Sequence, residues 1–120
     1  MATYSKVFLS GSTNGRPIKV TATASSGTTI HATGTSSTVV DEVWLYAINT
    51  STSDVLVTAE FGGTTSPDDR ITLTVPGQTG PFVLSPGFIL SGTGSAANTV
   101  RVFAATANVI NIIGYVNRIS

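Results

Sequence analysis

The sequence has 120 residues, with six basic and six acidic side chains, so its formal charge is zero, and it contains no cysteine. A chain of this length suits one domain, which can bury roughly two-thirds of the surface that its unfolded form exposes. The lack of cysteine excludes disulfides, thiolate nucleophiles and cysteine zinc sites, and it agrees with assembly in a reducing cytoplasm. Charged residues make up only 10% of the chain, against about 25% in soluble domains. So few charges favour a protein that packs against copies of itself or against a larger particle.

The composition also predicts the class of secondary structure. Threonine and serine supply 34 residues, and valine and isoleucine supply 22. These residue types favour strands and turns over helices. The first residues, MATYSKVFLSG, lack the apolar stretch of a signal peptide, and no apolar run approaches the roughly 18 residues that cross a bilayer. We therefore expect an all-β chain with neither a signal peptide nor a membrane span.

The first third of the chain predicts short strands separated by turns. The predicted strands cover residues 4–9, 16–24 and 28–33. An Asn-Gly turn signal separates the first two. The second alternates, with Ile18, Val20, Ala22 and Ala24 on the face expected to be buried. Because residues 1–37 are rich in glycine, serine and threonine and contain no acid, they are also a candidate for an extended N-terminal arm or an edge-strand region.

Residues 38–61 predict a long β-hairpin around a polar break at residues 49–54. The first arm has two apolar faces, because strand side chains alternate. One face carries Val43, Leu45 and Ala47, and the other carries Trp44, Tyr46 and Ile48. Such an arm is expected either to be a central strand covered on both sides or to form part of a subunit interface.

The remainder of the chain predicts further strands and a second long hairpin. The predicted strands cover residues 70–75, 82–84 and 88–90, and the hairpin joins residues 99–105 to residues 108–119. Prolines beside the two short segments indicate edge strands or strand starts. The last arm again has two apolar faces. One face carries Ile110, Ile112 and Val116, and the other carries Val109, Ile113, Tyr115 and Ile119.

Eight or nine short strands with a turn about every ten residues are typical of a sandwich or jelly roll. We therefore predict an all-β fold, an antiparallel β-sandwich or jelly roll of about eight strands, formed as one domain by residues 1–120. All six acids lie between positions 41 and 69, and the basic residues lie on either side of them. This order could orient subunits through complementary patches. The simpler interpretation, that the acids lie in solvated turns and the order is chance, is slightly favoured.

Catalytic, metal and cofactor chemistry is not predicted. His31 is the only histidine and has no cysteine partner, so we expect a structural histidine that is hydrogen-bonded or exposed. Asp68 and Asp69 with Asp54 or Glu60 could supply calcium ligands, but their spacing matches no dedicated loop. The acids could also pair as glycosidase carboxylates, but such a pair needs a cleft and a fixed separation that a small sandwich rarely provides. Neither a phosphate loop nor a nucleophile elbow occurs, and the basic residues are too few and scattered for a nucleic-acid groove. We expect no enzyme activity, cofactor, metal, nucleic acid, membrane or small-molecule substrate.

The aromatic residues within the central strands have two interpretations. Trp44, Tyr46 and Phe61 could stack on sugar rings, as in a lectin-like domain, or they could belong to a core or an interface. Their position within strands rather than loops favours the core or the interface.

Six segments of the chain carry a resemblance to known proteins. They are residues 9–19, 27–32, 41–46, 60–64, 66–69 and 108–119, and the ending GYVNRI at residues 114–119 is the most distinctive. These segments resemble a family of small β-rich virion proteins of tailed bacteriophages, including phages of cyanobacteria and other aquatic bacteria. The resemblance implies a virion structural protein, with a capsid cement (decoration) protein as the expected role. The alternatives are a tail, baseplate or head-fibre component, or a carbohydrate-binding module for adsorption.

The resemblance also implies a location and partners. The protein would be assembled in the host cytoplasm and sit on the capsid surface of the virion, as a homo-oligomer, with a trimer favoured, bound to the major capsid protein. The strands with two apolar faces would supply oligomer contacts, and the segment around Lys6 and residues 16–20 would add a strand to a capsid edge. The candidate oligomer or capsid interface residues are Trp44, Tyr46, Ile110, Ile112, Tyr115, Arg16 and Lys19.

Overall fold

The computed structural model describes residues 2–78 and 80–120. Nine strands form two antiparallel sheets packed face to face, and the described residues contain no helix. The strands are β1 (Tyr4–Phe8), β2 (Ile18–Lys19), β3 (Thr28–Ala32), β4 (Val40–Asn49), β5 (Val55–Phe61), β6 (Arg70–Val75), β7 (Phe82–Ser91), β8 (Thr99–Ala104) and β9 (Ile110–Ile119). The predicted all-β sandwich is therefore confirmed. Because helices are absent from residues 2–78 and 80–120, none is present there that could span a bilayer.

The first sheet has the strand order β1-β9-β4-β7, and the second has the order β3-β8-β5-β6. The short β2 also pairs with β9, so β1 and β2 follow one another along the same edge of that strand. The core lies between the two sheets and is filled by alternate residues of their inner faces. In the first sheet these are Val43, Leu45, Ala47, Ile110, Ile112 and Val116, and in the second they include Val55, Val57, Ala59, Val100 and Val102. Each such valine, leucine or isoleucine side chain contributes about 1.5–3 kcal/mol by leaving water.

The predicted hairpin at residues 38–61 is wrong. β4 pairs with β7 and β9 in the first sheet, whereas β5 pairs with β6 and β8 in the second. The polar break therefore carries the chain from one sheet to the other. The buried Asn49 organises this crossing, since its Nδ2 donates to the carbonyl oxygens of Ser53 at 2.8 Å and Val75 at 3.0 Å, and its Oδ1 accepts from the Ser51 backbone at 2.9 Å.

The second predicted hairpin, at residues 99–119, is wrong in the same way. β8 lies in the second sheet and β9 in the first. The turn between them contains Asn108, which has a left-handed φ of 67° and donates its N–H to the Val20 carbonyl at 2.9 Å. A hairpin and a crossing between sheets require the same alternation of apolar residues, so the sequence pattern cannot separate them.

Two smaller predictions also need correction. Only Ile18–Lys19 of the predicted strand 16–24 is a strand, because the chain then leaves β9 and runs towards β8, where Ala22 accepts from the Ala104 N–H at 3.1 Å. Ala24 is consequently exposed rather than buried. The two segments predicted at 82–84 and 88–90 belong to one strand, β7, whose register shifts near Pro86. β7 is an edge strand, as its prolines predicted.

Candidate functional site

The side of the first sheet that points away from the core, here called the outer face, concentrates the aromatic residues of the chain. All three tyrosines and the single tryptophan lie on it. Residues opposite one another in an antiparallel pair point to the same side of the sheet, so the strand register defines the face. Its members are Tyr4, Lys6, Phe8, Lys19, Val40, Glu42, Trp44, Tyr46, Ile48, Val83, Ile89, Asn111, Ile113, Tyr115, Asn117 and Ile119.

The centre of the outer face is a row of three aromatic residues, here called the aromatic row. Phe8 of β1, Tyr115 of β9 and Trp44 of β4 are neighbours across the strands. The Trp44 and Tyr115 rings stack with their centroids 6.1 Å apart and an angle of 15° between planes. Gly87, with a φ of 85°, leaves room for the indole, since a Cβ there would overlap the ring. The stack and the glycine together fix the indole against the sheet.

The next row along the strands, here called the charged row, consists of Lys6, Asn117 and Glu42. Glu42 Oε1 accepts hydrogen bonds from Trp44 Nε1 at 2.7 Å and from Asn117 Nδ2 at 3.0 Å. The bonds from Asn117 and then Trp44 lower the pKa of Glu42, so the carboxylate is charged at neutral pH. Lys6 Nζ lies 4.9 Å from the centroid of the Tyr115 ring. One positive and one negative side chain thus flank β9 in the same row.

A groove of about 730 Å³ lies on the outer face over β9, with β1 on one side and β4 on the other. Its lining includes the rings of Phe8, Tyr46 and Tyr115, with Lys6 and Asn14 as polar members. The groove has the volume of a typical ligand site. It can accept an apolar or amphipathic group, because most of its lining is carbon.

A buried polar network ties the two sheets together at one end of the sandwich. Asp41 of β4 accepts from Arg118 Nε at 2.7 Å and Nη2 at 2.9 Å, and from His31 Nε2 at 2.7 Å. His31 Nδ1 accepts from the Ser10 backbone N–H at 3.0 Å, so Nε2 is the ring nitrogen that donates to Asp41. Burial opposes ionisation of Asp41, but the hydrogen bonds from Arg118 and His31 outweigh it, and the pKa of Asp41 is lowered.

This network has a structural role. His31 and Asp41 are each only 1% exposed, and both ring nitrogens of His31 are occupied. The predicted hydrogen-bonded structural histidine is therefore what the fold contains. The geometry places no substrate within reach of the ring, because solvent does not reach it.

The other acids stabilise loops. Glu60 is fully buried and accepts from Ser25 Oγ at 2.6 Å and from the Gly27 N–H at 2.8 Å. Asp69 accepts from the Thr65 N–H at 3.0 Å, and Asp54 from that of Gly77 at 3.1 Å. In the part of the chain that the structure describes, no group of three or more histidine, cysteine or acidic residues could hold a metal ion.

The predicted interface residues divide into three groups. Trp44, Tyr46 and Tyr115 lie together on the outer face. Arg16 and Lys19 are exposed near the edge formed by β1 and β2. Ile110 and Ile112 are 0% exposed and cannot contact another molecule, because the alternation of β9 turns them towards the core.

Sequence reasoning missed two central members of the outer face. Ile113 belongs to it by the alternation of β9, a signal that was present in the sequence. Phe8 belongs to it through its register opposite Tyr115, which joins residues that are far apart in the chain. Only the first of these was open to prediction from local pattern.

Comparison with protein-family models, curated proteins and solved structures found no match. The resemblance to phage virion proteins stays a prediction from the sequence segments that carry it. Two of these segments, residues 41–46 and 108–119, contribute β4 and β9 and so lie side by side at the centre of the outer face.

Proposed function

We propose that this chain is a structural protein of a bacteriophage virion, a capsid cement (decoration) protein that binds the outside of the head and stabilises the lattice of the major capsid protein. The observation that carries the proposal is the outer face, a sheet surface rich in aromatic and aliphatic side chains that the chain itself leaves uncovered. Protein interfaces are enriched in aromatic residues and depleted of charge at their centres. The sequence resemblance supplies the virion context.

The exposure of the outer face supports a role in protein contacts. Tyr4 is 72% exposed, Phe8 62% and Ile89 65%. Contiguous apolar patches are small on most soluble monomers, and larger ones mark interaction sites. A chain with so few charges is better suited to permanent assembly than to free existence in solution.

The proposed mechanism is repeated weak attachment. Homo-oligomers, with a trimer favoured by the resemblance, would sit where major capsid proteins meet, on the surface of a head assembled in the host cytoplasm. Each specific contact of about 800 Å² per partner is modest in affinity. Many identical contacts on one shell add avidity, which resists the pressure of packaged DNA.

The free edge of β1 offers a route to the shell. Thr3 and Ser120 exchange two backbone hydrogen bonds, at 2.7 and 2.9 Å, so alternate N–H groups of β1 point to β9 and those of Tyr4, Lys6 and Phe8 point away from it. An edge of this kind can accept a strand from a partner, and main-chain hydrogen bonds then supply the affinity.

We expect purified protein to raise the temperature at which undecorated heads are disrupted. Lys6→Pro should reduce attachment at least tenfold, because proline removes an outward N–H while the bonds to β9 remain. Lys6→Ala is the matched control, since it removes the same side chain and keeps the N–H, so a difference between the two variants reports the N–H alone. Binding to heads is measured by co-sedimentation. Deletion of residues 1–20 is unsuitable, because it removes Leu9, Ile18 and Val20 from the core.

The copy number in purified particles decides between virion roles. Hundreds of copies per particle fit a cement protein, whereas a handful fit a tail, baseplate or head-fibre component. Equal attachment of Lys6→Pro and Lys6→Ala would remove the β1 edge from the mechanism, and absence of the chain from particles would end the virion proposal.

The groove favours a second candidate, a carbohydrate-binding module for adsorption. Aromatic rings at Phe8, Tyr46 and Tyr115 could stack on sugar rings, with Lys6 and Asn14 for hydrogen bonds. On a glycan array, Tyr46→Ala should then weaken binding about tenfold, the loss of about 1.4 kcal/mol of stacking. Tyr4→Ala, the same substitution on the same face but outside the groove, is the matched control. Absence of any glycan signal from the wild type would exclude this candidate.

A further inference from the structure

We propose that two copies of this chain pair face to face through their outer faces, related by a two-fold axis that runs along β9 in the plane between the two sheets. This pairing rests on the self-association in the proposed function and names its surface and contacts, with a two-fold dimer in place of the trimer that the resemblance favours. It requires no capsid, so it can be tested on the isolated protein.

The register around β9 makes the outer face suited to such an axis. β9 has β4 along one edge and β1 followed by β2 along the other. A two-fold axis along β9 places each residue of β1 opposite the residue of β4 from the same row in the second copy. Each residue of β9 then meets its own counterpart. Such a contact is isologous, the symmetry of most soluble homodimers.

The charged row selects this axis. Lys6 lies on one side of β9 and Glu42 on the other, so each Lys6 faces Glu42 of the second copy, twice in the pair. Both intramolecular bonds of Glu42 are accepted by Oε1, so Oε2 is able to accept from Lys6. An axis perpendicular to the strands would bring Lys6 against Lys19 of the second copy, because both lie along the same edge of β9. Like charges in contact disfavour that arrangement.

The aromatic row also matches itself about this axis. Phe8 meets Trp44 of the second copy twice, and the two Tyr115 rings meet on the axis. In the following row, Tyr46 faces the gap between β1 and β2 of the second copy, where Asn14 and Gly15 line the groove. Aromatic pairs of this kind add about 0.5–1.5 kcal/mol each beyond the area they bury. The pairing therefore covers the apolar centre and fills part of the groove.

The size of the face predicts the strength of the pair. β4 and β9 pair over ten residues, so the contact is about 33 Å long, and three strands at about 4.8 Å spacing make it about 15 Å wide. The product is a flat area of about 500 Å² per copy, which lies at the lower end of specific interfaces. We expect a dissociation constant in the micromolar range.

Charge exchange tests the pairing. Sedimentation velocity is measured at protein concentrations from roughly 1 µM to 1 mM, which bracket the expected dissociation constant. Wild type should pass from monomer to dimer over this range. Lys6→Glu alone and Glu42→Lys alone should each weaken the dimer at least tenfold, because two like-charged pairs replace two opposite ones. An equimolar mixture of the two variants, and the double variant, should restore the wild-type constant to within about threefold, since every contact is again between opposite charges.

Matched controls keep the test decisive. Lys19→Glu makes the same charge change on the same face, but residue 19 faces Ile48 of the second copy. The dimer formed by Lys19→Glu with Glu42→Lys should therefore be about tenfold weaker than the dimer formed by Lys6→Glu with Glu42→Lys. Thermal unfolding verifies that each variant is folded. If Glu42→Lys is unfolded, Glu42→Gln takes its place, because it keeps the Oε1 acceptor, and it should also weaken the dimer.

Three results would overturn the pairing: a wild type that is monomeric at 1 mM, a trimer as the only assembly, or a Lys19→Glu mixture that restores the dimer as well as the Lys6→Glu mixture does. None of them bears on attachment to heads through the edge of β1. Failure of Lys6→Pro to differ from Lys6→Ala on heads, with the charge exchange intact, would contradict the attachment mechanism and leave the pairing in place.

Discussion

Asp41→Ala should lower the free energy of unfolding by about 2–4 kcal/mol, because it leaves a buried His31 donor unpaired and removes the buried member of a half-buried ion pair. Asp41 is 1% exposed and is the shared acceptor for Arg118 and His31. Its loss leaves His31 Nε2–H without an acceptor inside the protein and separates β3 from β4 and β9 at that end of the sandwich. Chemical denaturation followed by tryptophan fluorescence measures the change.

The control for this prediction is Asp68→Ala, an aspartate that is exposed in the loop before β6. Its free energy of unfolding should stay within about 0.5 kcal/mol of wild type. An Asp41→Ala protein as stable as Asp68→Ala would show that the network contributes nothing to the fold.

The same carboxylate predicts a pH dependence. The pKa of Asp41 in the folded protein lies below its ordinary value of 3.8, so the unfolded chain takes up this proton first as the pH falls. The stability that Asp41 supplies is fully present above about pH 4 and is lost as the pH falls through the folded pKa. The difference in unfolding free energy between wild type and Asp41→Asn should therefore be constant near neutral pH and shrink below pH 3.8. A difference that shrinks between pH 7 and pH 5 would assign the effect to another group.

Gly114→Ala should cost about 3 kcal/mol or more, at the upper end for overpacking. Gly114 lies opposite Leu45 in the centre of the first sheet. A Cβ there would overlap the carbonyl oxygen of Trp44 and lie 3.2 Å from the Leu45 Cα. Backbone atoms cannot rotate away as a side chain can, so β4 and β9 would have to separate where the aromatic row crosses them. Thermal unfolding and the near-ultraviolet circular dichroism of Trp44 should both change.

Gly34→Ala is the matched control for this substitution. An added Cβ at Gly34 meets no atom within 4 Å, and Gly34 is exposed. We expect a change within about 0.5 kcal/mol. If Gly114→Ala unfolded at the same temperature as Gly34→Ala, the two central strands would have more freedom than the register indicates.

Local pattern predicted the strands well but not their neighbours. The alternation in β4 correctly separates Val43 and Leu45, which are buried, from Trp44 and Tyr46, which are not. The same alternation fits a hairpin or a crossing between sheets, so both long hairpins were assigned to the wrong topology. Asn49, a residue typical of turns, gives no sign in the sequence that its amide bonds Ser51 and Ser53 of the crossing and Val75 at the end of β6.

The candidate site shows the same division. Trp44, Tyr46 and Tyr115 were predicted from strands with two apolar faces, and they do lie on one surface. Ile110 and Ile112 were assigned to the interface with them, because two apolar faces do not reveal which one points to the core. The choice depends on where the second sheet packs.

The sequence by itself determined that this protein is all-β, that its strands alternate in a fixed phase, and that it has few charges to keep an apolar surface in solution. Those properties depend on each residue and its near neighbours. Only the tertiary structure decided that Phe8 lies beside Tyr115, that Lys6 and Glu42 flank β9 in one row, and that Asp41 meets Arg118. Strand order and register join residues distant in the chain, and they follow from how two whole sheets bury their inner faces together, which no local stretch of sequence encodes.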